Sequence, residues 1–142
     1  MLVVILAGGE GSRMGGGKPL RQLGGESLID RAVRRALSWS SDVRAALRGA
    51  DQAGAIRVPA LLDDPDIWGP LAGLTSGLRA ARAEGSSQVL TLPCDMPFLP
   101  DDMAERLAEA AGEGVALASS GGQLHPVCGL WPVSALDSVA SY

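Results

Sequence analysis

The apolar residues of this chain fall into short continuous runs that alternate with segments of helical periodicity. Short apolar runs predict buried strands, whereas apolar spacings of three and four residues predict amphipathic helices. Strands are predicted in this way at Leu2–Ala7, Asp42–Leu47, Val58–Leu62 and Gln88–Leu92, the last as the most central strand. Helices are predicted at Glu26–Trp39, Gly69–Ala83 and Pro100–Ala111.

Residues at the predicted helix starts agree with these assignments. Ser27 is suited to cap the first helix, and Pro70 is suited to the first turn of the second. Pro100, Asp101 and Asp102 open the third helix, where carboxylates favour the positive end of the helix dipole.

The C-terminal part of the chain has a different pattern. Gly114–Ser119 and Leu124–Trp131 flank Gly121-Gly122, which predicts a β-hairpin, and Pro132–Tyr142 predicts the beginning of another helix. Strands that alternate with helices predict a three-layer α/β/α fold with a mostly parallel, Rossmann-like sheet. We therefore expect one domain over residues 1–142, with the hairpin at its end.

Polar residues that carry chemistry follow three of the predicted strands. A glycine-rich stretch follows the first strand, Asp63 and Asp64 follow the third, and Asp95 follows the fourth. Ligands of open α/β sheets bind outside the carboxyl ends of the strands. We therefore expect these residues to meet at one edge of the sheet.

Composition excludes some classes of partner and indicates the cellular compartment. The chain has 16 acidic and 12 basic side chains, for a net charge of -4, which argues against a nucleic-acid partner. It has no apolar run long enough to span a membrane, which argues against a membrane partner. Cys94 and Cys128 lack CxxC spacing and predict free thiols in a cytoplasmic protein rather than a disulfide framework.

The glycine-rich stretch predicts binding of a nucleoside triphosphate. Six glycines fall in the ten positions from Gly8 to Gly17, and Arg13 and Lys18 are its cations. Glycine backbone approaches a ligand closely and directs several N–H groups at it. The alternatives are a solvated Lys18, a structural ion pair of Arg13, or a turn without a ligand, although the last would not require so many glycines.

Two common nucleotide-binding motifs do not fit this stretch. A Walker A loop needs a glycine five residues before its Gly-Lys pair and Ser or Thr after the lysine. Here Ser12 precedes Gly17-Lys18 at that spacing and Pro19 follows. A dinucleotide fingerprint needs a third glycine, and this chain has Met14 at that position. The stretch therefore argues against a dehydrogenase.

The pattern Leu6-Ala-Gly-Gly-x-x-Ser-Arg-Met-Gly-x-x-Lys18 resembles the signature of nucleotidyltransferases. Within that group the chain is most similar to the molybdenum cofactor guanylyltransferases. Three further segments carry this resemblance in the family's order: Gly69-Pro-Leu-Ala-Gly73, Leu92-Pro-Cys-Asp-Met-Pro-Phe-Leu-Pro100 and His125-Pro-Val-Cys-Gly-Leu-Trp131.

The resemblance implies transfer of GMP from GTP to molybdopterin with release of pyrophosphate. It implies Mg²⁺ as cofactor and transient contact with molybdoenzyme maturation proteins. Lys18, Arg13 and Asp95 are the expected catalytic residues, with Asp95 as the metal ligand. The expected nucleotide-binding residues are Leu6, Ala7, Gly8, Gly9, Lys18, Asp63, Gly69, Gly73 and Asp95.

The carboxylates have simpler interpretations as well. Asp95 lies between Pro93 and Pro97, which fix the backbone, and a carboxylate held there suits magnesium. Its alternative is an aspartate that accepts turn amides. Asp63 is favoured as the nucleotide contact, although the family spacing fits Asp64 to within one residue, and the alternative is a solvated acidic turn. The only histidine, His125, is interpreted as a structural or rim residue, and Cys94 as a small buried side chain.

The chain departs from the family pattern in two respects. Relatives run longer, so we expect this chain to lack their C-terminal segment. Many relatives have an asparagine after the second strand, where this chain has Ala46, Leu47 or Arg48, and it contains no asparagine at all. Alternatives that stay open are a cytidylyl- or sugar-phosphate nucleotidyltransferase and a nucleotide-binding module without catalysis.

Overall fold

The computed structural model describes residues 1–7, 22–23, 26–48, 57–63, 65–67, 69–96 and 99–140, with residues 22, 23 and 26 described by their backbone only. In chain order the elements are β1 (Leu2–Leu6), β2 (Gln22–Leu23), β3 (Glu26–Ser27), α1 (Leu28–Trp39), β4 (Val43–Leu47), β5 (Ala60–Leu62), α2 (Pro70–Glu84), β6 (Gln88–Pro93), α3 (Met103–Ala111), β7 (Ala116–Ser120), β8 (Gln123–Pro132), a 3-10 turn (Val133–Ala135) and α4 (Leu136–Ala140).

Six strands form one mixed sheet in the order β5-β4-β1-β6-β8-β7. Strand β1 runs parallel to β4 and β6, and β4 runs parallel to β5. Strand β8 runs antiparallel to β6 and to β7. The predicted α/β fold is confirmed, with β1 and β6 in the middle of the sheet, and β2 and β3 pair separately.

Two apolar layers sandwich the sheet, which explains the continuous apolar run of β1. Val3 and Ile5 point into the layer that α1 and α3 cover, whereas Leu2 and Val4 point into the layer that α2 and α4 cover. All four side chains are fully buried. A strand buried on both faces has no polar alternation, as is typical of parallel sheets.

Two helices begin later than predicted, because the residues before them make other contacts. The cap at Ser27 is confirmed, because its side chain accepts a hydrogen bond from the Asp30 N–H at 3.1 Å. The helix begins at Leu28 rather than Glu26 because Glu26–Ser27 pairs with β2. Helix α3 begins at Met103 rather than Pro100, since Trp39 Nε1 donates to the Asp101 carbonyl at 2.8 Å within a preceding turn.

The predicted hairpin is confirmed and extends one end of the sheet. Gly121 and Gly122 have φ values of 55° and 78°, as a two-residue hairpin turn requires. Thr91 of β6 pairs with Gly129 of β8, and the two strands run in opposite directions. By that register the first residues of β8, Gln123 to Pro126, lie beyond the carboxyl end of β6.

The close approach of α2 to β1 depends on Gly77. A Cβ atom at Gly77 would lie 2.7 Å from Val4 Cγ2 and 3.5 Å from Val89 Cγ1. Because both valines are fully buried, they have little room to move away.

We therefore predict that Gly77→Ala lowers the free energy of unfolding by about 1–2 kcal/mol, because overpacking outweighs the gain in helix propensity. Urea denaturation measures the change. Gly114→Ala is the matched control, since its Cβ would make only an ordinary contact of 3.5 Å with the Ala111 carbonyl. Equal stability of the two variants would contradict tight packing at Gly77.

Candidate active site

Asp63 is held at the carboxyl edge of the sheet by backbone pairing. Its N–H donates to the Leu47 carbonyl at 2.7 Å, which continues the pairing of β5 with β4 by one residue. The Ser76 hydroxyl of α2 donates to the Leu62 carbonyl at 2.8 Å, so the helix also holds the end of β5. The position of Asp63 is thus fixed from two sides.

Glycine at position 73 allows the start of α2 to lie directly on this edge. A Cβ atom there would be 2.6 Å from Leu6 Cδ2, 3.0 Å from Ala46 Cβ and 3.5 Å from Asp63 Oδ1. Leu6, Asp63 and Gly73, three of the predicted nucleotide-binding residues, therefore meet at one place.

Two further predicted residues lie beside this place. The Ala7 N–H donates to the Ala46 carbonyl at 3.0 Å and its side chain is buried, so it continues β1 at the same edge. Gly69 is the exposed N-cap of α2, with φ of 70°, and its carbonyl accepts from the Ala72 N–H at 3.1 Å. The left-handed backbone at Gly69 favours glycine at this position.

The Asp63 side chain is half-buried, and one of its two carboxylate oxygens is fully enclosed. Its Oδ1 atom is inaccessible to solvent and has no hydrogen-bond partner among the described residues. Burial raises the pKa of the Asp63 carboxyl, and the Arg48 charge lowers it by less. A buried acceptor without a donor is costly in a folded protein, and a ligand N–H or O–H would satisfy it.

Arg48 is a site residue that the sequence reasoning did not assign. It follows β4, and its Nη1 atom donates to the Ile67 carbonyl at 3.0 Å, two residues before Gly69. It acts electrostatically on Asp63 as well. The sequence did contain a signal for Arg48, namely a cation directly after a predicted parallel strand. The carboxyl ends of parallel strands lie on the same edge of the sheet, so this cation is expected near the other candidate site residues.

Asp95 lies on the other side of β1 from Asp63. It is exposed in the turn that follows β6. Its charge, together with the larger effect of burial, raises the pKa of the Cys128 thiol to about 11. Three strand spacings of about 4.8 Å separate β5 from β6, so the strands that precede Asp63 and Asp95 lie about 14 Å apart along the edge.

The described side chains offer one kind of metal site at this edge. No group of three or more His, Cys, Asp or Glu side chains within the described ranges is arranged to share a metal ion. An exposed carboxylate such as Asp95 suits Mg²⁺, which is commonly bound by one or two carboxylates together with substrate phosphates.

The remaining sequence predictions divide into tested and untested ones. Cys94 and Cys128 are buried free cysteines, as predicted. The His125 Nε2 atom lies 2.7 Å from the Ser120 hydroxyl, across the hairpin. Gly8, Gly9, Arg13, Lys18 and Asp64 lie outside the described residues, so their roles stay predictions.

Comparison with known proteins identifies the domain. A family model described as MobA-like NTP transferase domain matches residues 3–142. The chain belongs to this family. Its sequence is 43% identical to the molybdenum cofactor guanylyltransferase of Cereibacter sphaeroides over 141 residues, covering 98% of this chain and 72% of that protein. It is 40% identical to the molybdenum cofactor guanylyltransferase of Sinorhizobium fredii over 146 residues, covering 98% of this chain and 66% of that protein.

A solved structure agrees with this membership at the level of the fold. Molybdopterin-guanine dinucleotide biosynthesis protein A from Archaeoglobus fulgidus superposes with a TM-score of 0.80 and 24% identity, over 99% of this chain and 72% of that one. The resemblance drawn from the glycine-rich motif is therefore confirmed. In this MobA-like domain, no helix of the described ranges is long and apolar enough to cross a membrane.

We predict that Asp63→Asn makes the ligand-free protein more stable at pH 7 than the wild type. The folded state holds the Asp63 proton more tightly than the unfolded chain does, so wild-type stability falls as pH rises through the raised pKa. The variant lacks this loss, so we expect it to be more stable than the wild type at pH 7. The difference is expected to disappear at pH 3, where the Asp63 carboxyl is protonated in both the folded and the unfolded wild type.

Urea denaturation of both proteins at the two pH values measures the difference. Asp137→Asn is the matched control, because the Asp137 side chain is 87% exposed. If the variant is no more stable than the wild type at pH 7, then ionisation of Asp63 does not lower the free energy of unfolding, and the prediction is wrong.

Proposed function

We propose that this domain transfers GMP from GTP to molybdopterin and releases pyrophosphate. The observation that carries the proposal is the buried Asp63 Oδ1 atom beside Gly73, which has no hydrogen-bond partner among the described residues. The strand before Asp63 lies about 14 Å from the strand before Asp95, and we propose that a nucleoside binds along the edge between them. The family relatives named molybdenum cofactor guanylyltransferase support the acceptor.

The chemistry of Asp63 favours guanine over the other common bases. Guanine presents two adjacent donors, its ring N–H and its exocyclic amino group, and a carboxylate accepts from both. Cytosine presents only its amino group as a donor on the corresponding edge. A base that satisfies the Asp63 carboxylate removes the cost of its burial.

The proposed reaction is a displacement at the α-phosphorus of GTP. An oxygen of the molybdopterin phosphate forms a bond to that phosphorus, the bond to the β-phosphate bridging oxygen breaks, and pyrophosphate leaves. Both reactants are anions, so catalysis is mainly in-line positioning and neutralisation of charge.

Different residues along the sheet edge bind the nucleoside and the phosphates in this proposal. The nucleoside is held by Asp63, together with Leu6, Ala7, Gly69 and Gly73.

A second group of residues binds the phosphates of the nucleotide in this proposal. Lys18 and Arg13, with the amides of Gly8 and Gly9, bind the phosphates. Asp95 would hold Mg²⁺, which neutralises charge on the phosphate oxygens when it is bound. Cytoplasmic location and transient contacts with molybdoenzyme maturation proteins remain expectations of the same proposal.

We predict that Asp95→Asn lowers turnover at least about a hundredfold while the fold is retained, because removing one charge-stabilising group commonly has an effect of that size. Pyrophosphate release from GTP, molybdopterin and MgCl₂ by the full-length protein measures turnover, and circular dichroism checks the fold. Asp137→Asn serves as the control for loss of a carboxylate.

The same assay tests the base and the reaction class. Replacement of GTP by CTP is expected to abolish most of the activity, and faster release from CTP would reject the guanylyl assignment. Absence of pyrophosphate release with every nucleotide would leave a binding module without catalysis. Normal magnesium-dependent turnover of Asp95→Asn would remove Asp95 from the metal site.

A further inference from the structure

A small cleft lies between α1 and the turn that precedes α3. Its volume is about 220 Å³, and the residues that line it are Arg31, Arg34, Arg35, Ser38 and Asp101. Asp101 is the single carboxylate in this described lining, against three guanidinium groups. The cleft is therefore strongly positive, although the chain as a whole has a net charge of -4.

The arginines of the cleft lie on the side of α1 that faces away from the sheet. The buried residues of the helix mark the side that faces the sheet: Ile29, Ala32, Val33 and Ala36. Arg34 and Arg35 follow Arg31 by three and four residues, so the three side chains are neighbours on the opposite side. Like charges at this spacing repel one another and destabilise a helix.

The helix dipole disfavours the same arrangement. Arg31 lies in the first turn of α1, at the positive end of the dipole, whereas the last turn contains no basic residue. Residues whose placement conflicts with local preference are expected at functional sites. An anion bound among the arginines would reduce both their mutual repulsion and their unfavourable interaction with the dipole.

The turn that closes the cleft is held by a contact other than its ion pair. Trp39 Nε1 donates to the Asp101 carbonyl at 2.8 Å, which fixes the backbone of the turn. The Asp101 carboxylate pairs with Arg35, and the Asp101 side chain is 89% exposed. An exposed ion pair contributes little stability, so a bound anion can compete for Arg35 while Trp39 keeps the turn in place.

The donors and the size of the cleft define its ligand. The Ser38 hydroxyl donates to the Arg35 carbonyl, so the arginines supply the donors for a bound molecule. Guanidinium groups bind phosphate oxygens through paired N–H bonds, and a phosphate dianion balances the excess positive charge better than one carboxylate does. Pockets for drug-sized ligands have volumes of roughly 300–1,000 Å³, so this smaller cleft suits a single phosphate group rather than a nucleotide.

We propose that this cleft binds a phosphate dianion, either as inorganic phosphate or as the phosphate group of a small metabolite. Arg31 and Arg34 bind its oxygens, and Arg35 is shared between the phosphate and Asp101. The Asp101 carboxylate limits the affinity, because it repels the anion. These residues are not among those proposed to bind GTP, so the cleft is an additional anion site of the domain.

Calorimetric titration of the protein with inorganic phosphate at pH 8, without nucleotide or Mg²⁺, tests the site. Arg34→Gln is expected to weaken phosphate binding about fivefold or more, because charge-assisted hydrogen bonds are lost. Arg34 is exposed, so the variant is expected to fold. Arg82→Gln is the matched control, since Arg82 lies on α2, on the other face of the sheet, with a side chain 49% exposed. Its phosphate affinity is expected to equal that of the wild type.

A variant of Asp101 is expected to change the affinity in the opposite direction. Asp101→Asn removes the repelling charge and leaves Arg35 to the ligand, so phosphate is expected to bind several-fold more tightly. Asp137→Asn, which removes a carboxylate that is 87% exposed, is expected to leave the affinity unchanged. Weaker phosphate binding by Asp101→Asn would contradict the arrangement proposed for the cleft.

Lys18→Gln separates the cleft from the phosphate site proposed for GTP. Phosphate binding is expected to persist in Lys18→Gln, and its loss there with full binding by Arg34→Gln would overturn the proposal. Absence of binding by the wild type, or equal affinity of the wild type and Arg34→Gln, would overturn it as well. None of these measurements requires turnover, so they stay decisive if guanylyl transfer itself is not observed.

A parallel titration with glycerol phosphate distinguishes the two sources of the anion. Arg34-dependent binding that is tighter for glycerol phosphate than for inorganic phosphate supports a phosphorylated metabolite as the ligand. The opposite order supports the free ion. Binding of glycerol phosphate that does not depend on Arg34 would overturn the assignment of a metabolite to this cleft.

Discussion

The close packing of α2 on β1 is the constraint on which the site depends. At Gly77 a side chain would clash with Val4, and at Gly73 it would clash with Leu6. Because both glycines lack a Cβ, the helix lies directly on the sheet and its first turn reaches the carboxyl edge. That contact places Gly73 next to both Leu6 and Asp63. A larger residue at either position would move the helix start away from the place where the nucleoside is proposed to bind.

The partial burial of Asp63 costs stability, and the proposed nucleoside contact would recover it. The Oδ1 atom, which has no hydrogen-bond partner among the described residues, raises the free energy of the folded protein, and a bound donor would lower it in the complex. Arg48 limits the cost through its charge, which lowers the pKa of the Asp63 carboxyl. The result is a rigid acceptor whose position is set by the β4–β5 pairing before any ligand arrives, so little ordering remains to be done on binding.

The reversal of strand direction at β8 shapes the end of the sheet that lies beyond Asp95. The parallel strands β5, β4, β1 and β6 end at one edge, where the predicted nucleotide-binding residues of the described ranges lie. Strand β8 runs the other way, so its beginning and the hairpin turn project past that edge, and α3 closes the space beneath them. Asp95 follows β6 and lies between the parallel strands and the hairpin.

The sequence by itself determined the order of the elements, the Ser27 cap, the hairpin turn at Gly121-Gly122 and the family, because these depend on local periodicity, local backbone preference and short motifs. It also placed Asp63, Gly73 and Asp95 at strand or helix ends. Only the tertiary structure decided that Leu6 and Asp63 lie next to Gly73, that Arg48 acts on Asp63, and that α3 starts at Met103 because Trp39 binds the preceding turn. The strand order and the cavity beneath the hairpin were equally beyond the sequence. Contacts between residues far apart in the chain follow from how faces pack together, and no local pattern encodes that packing.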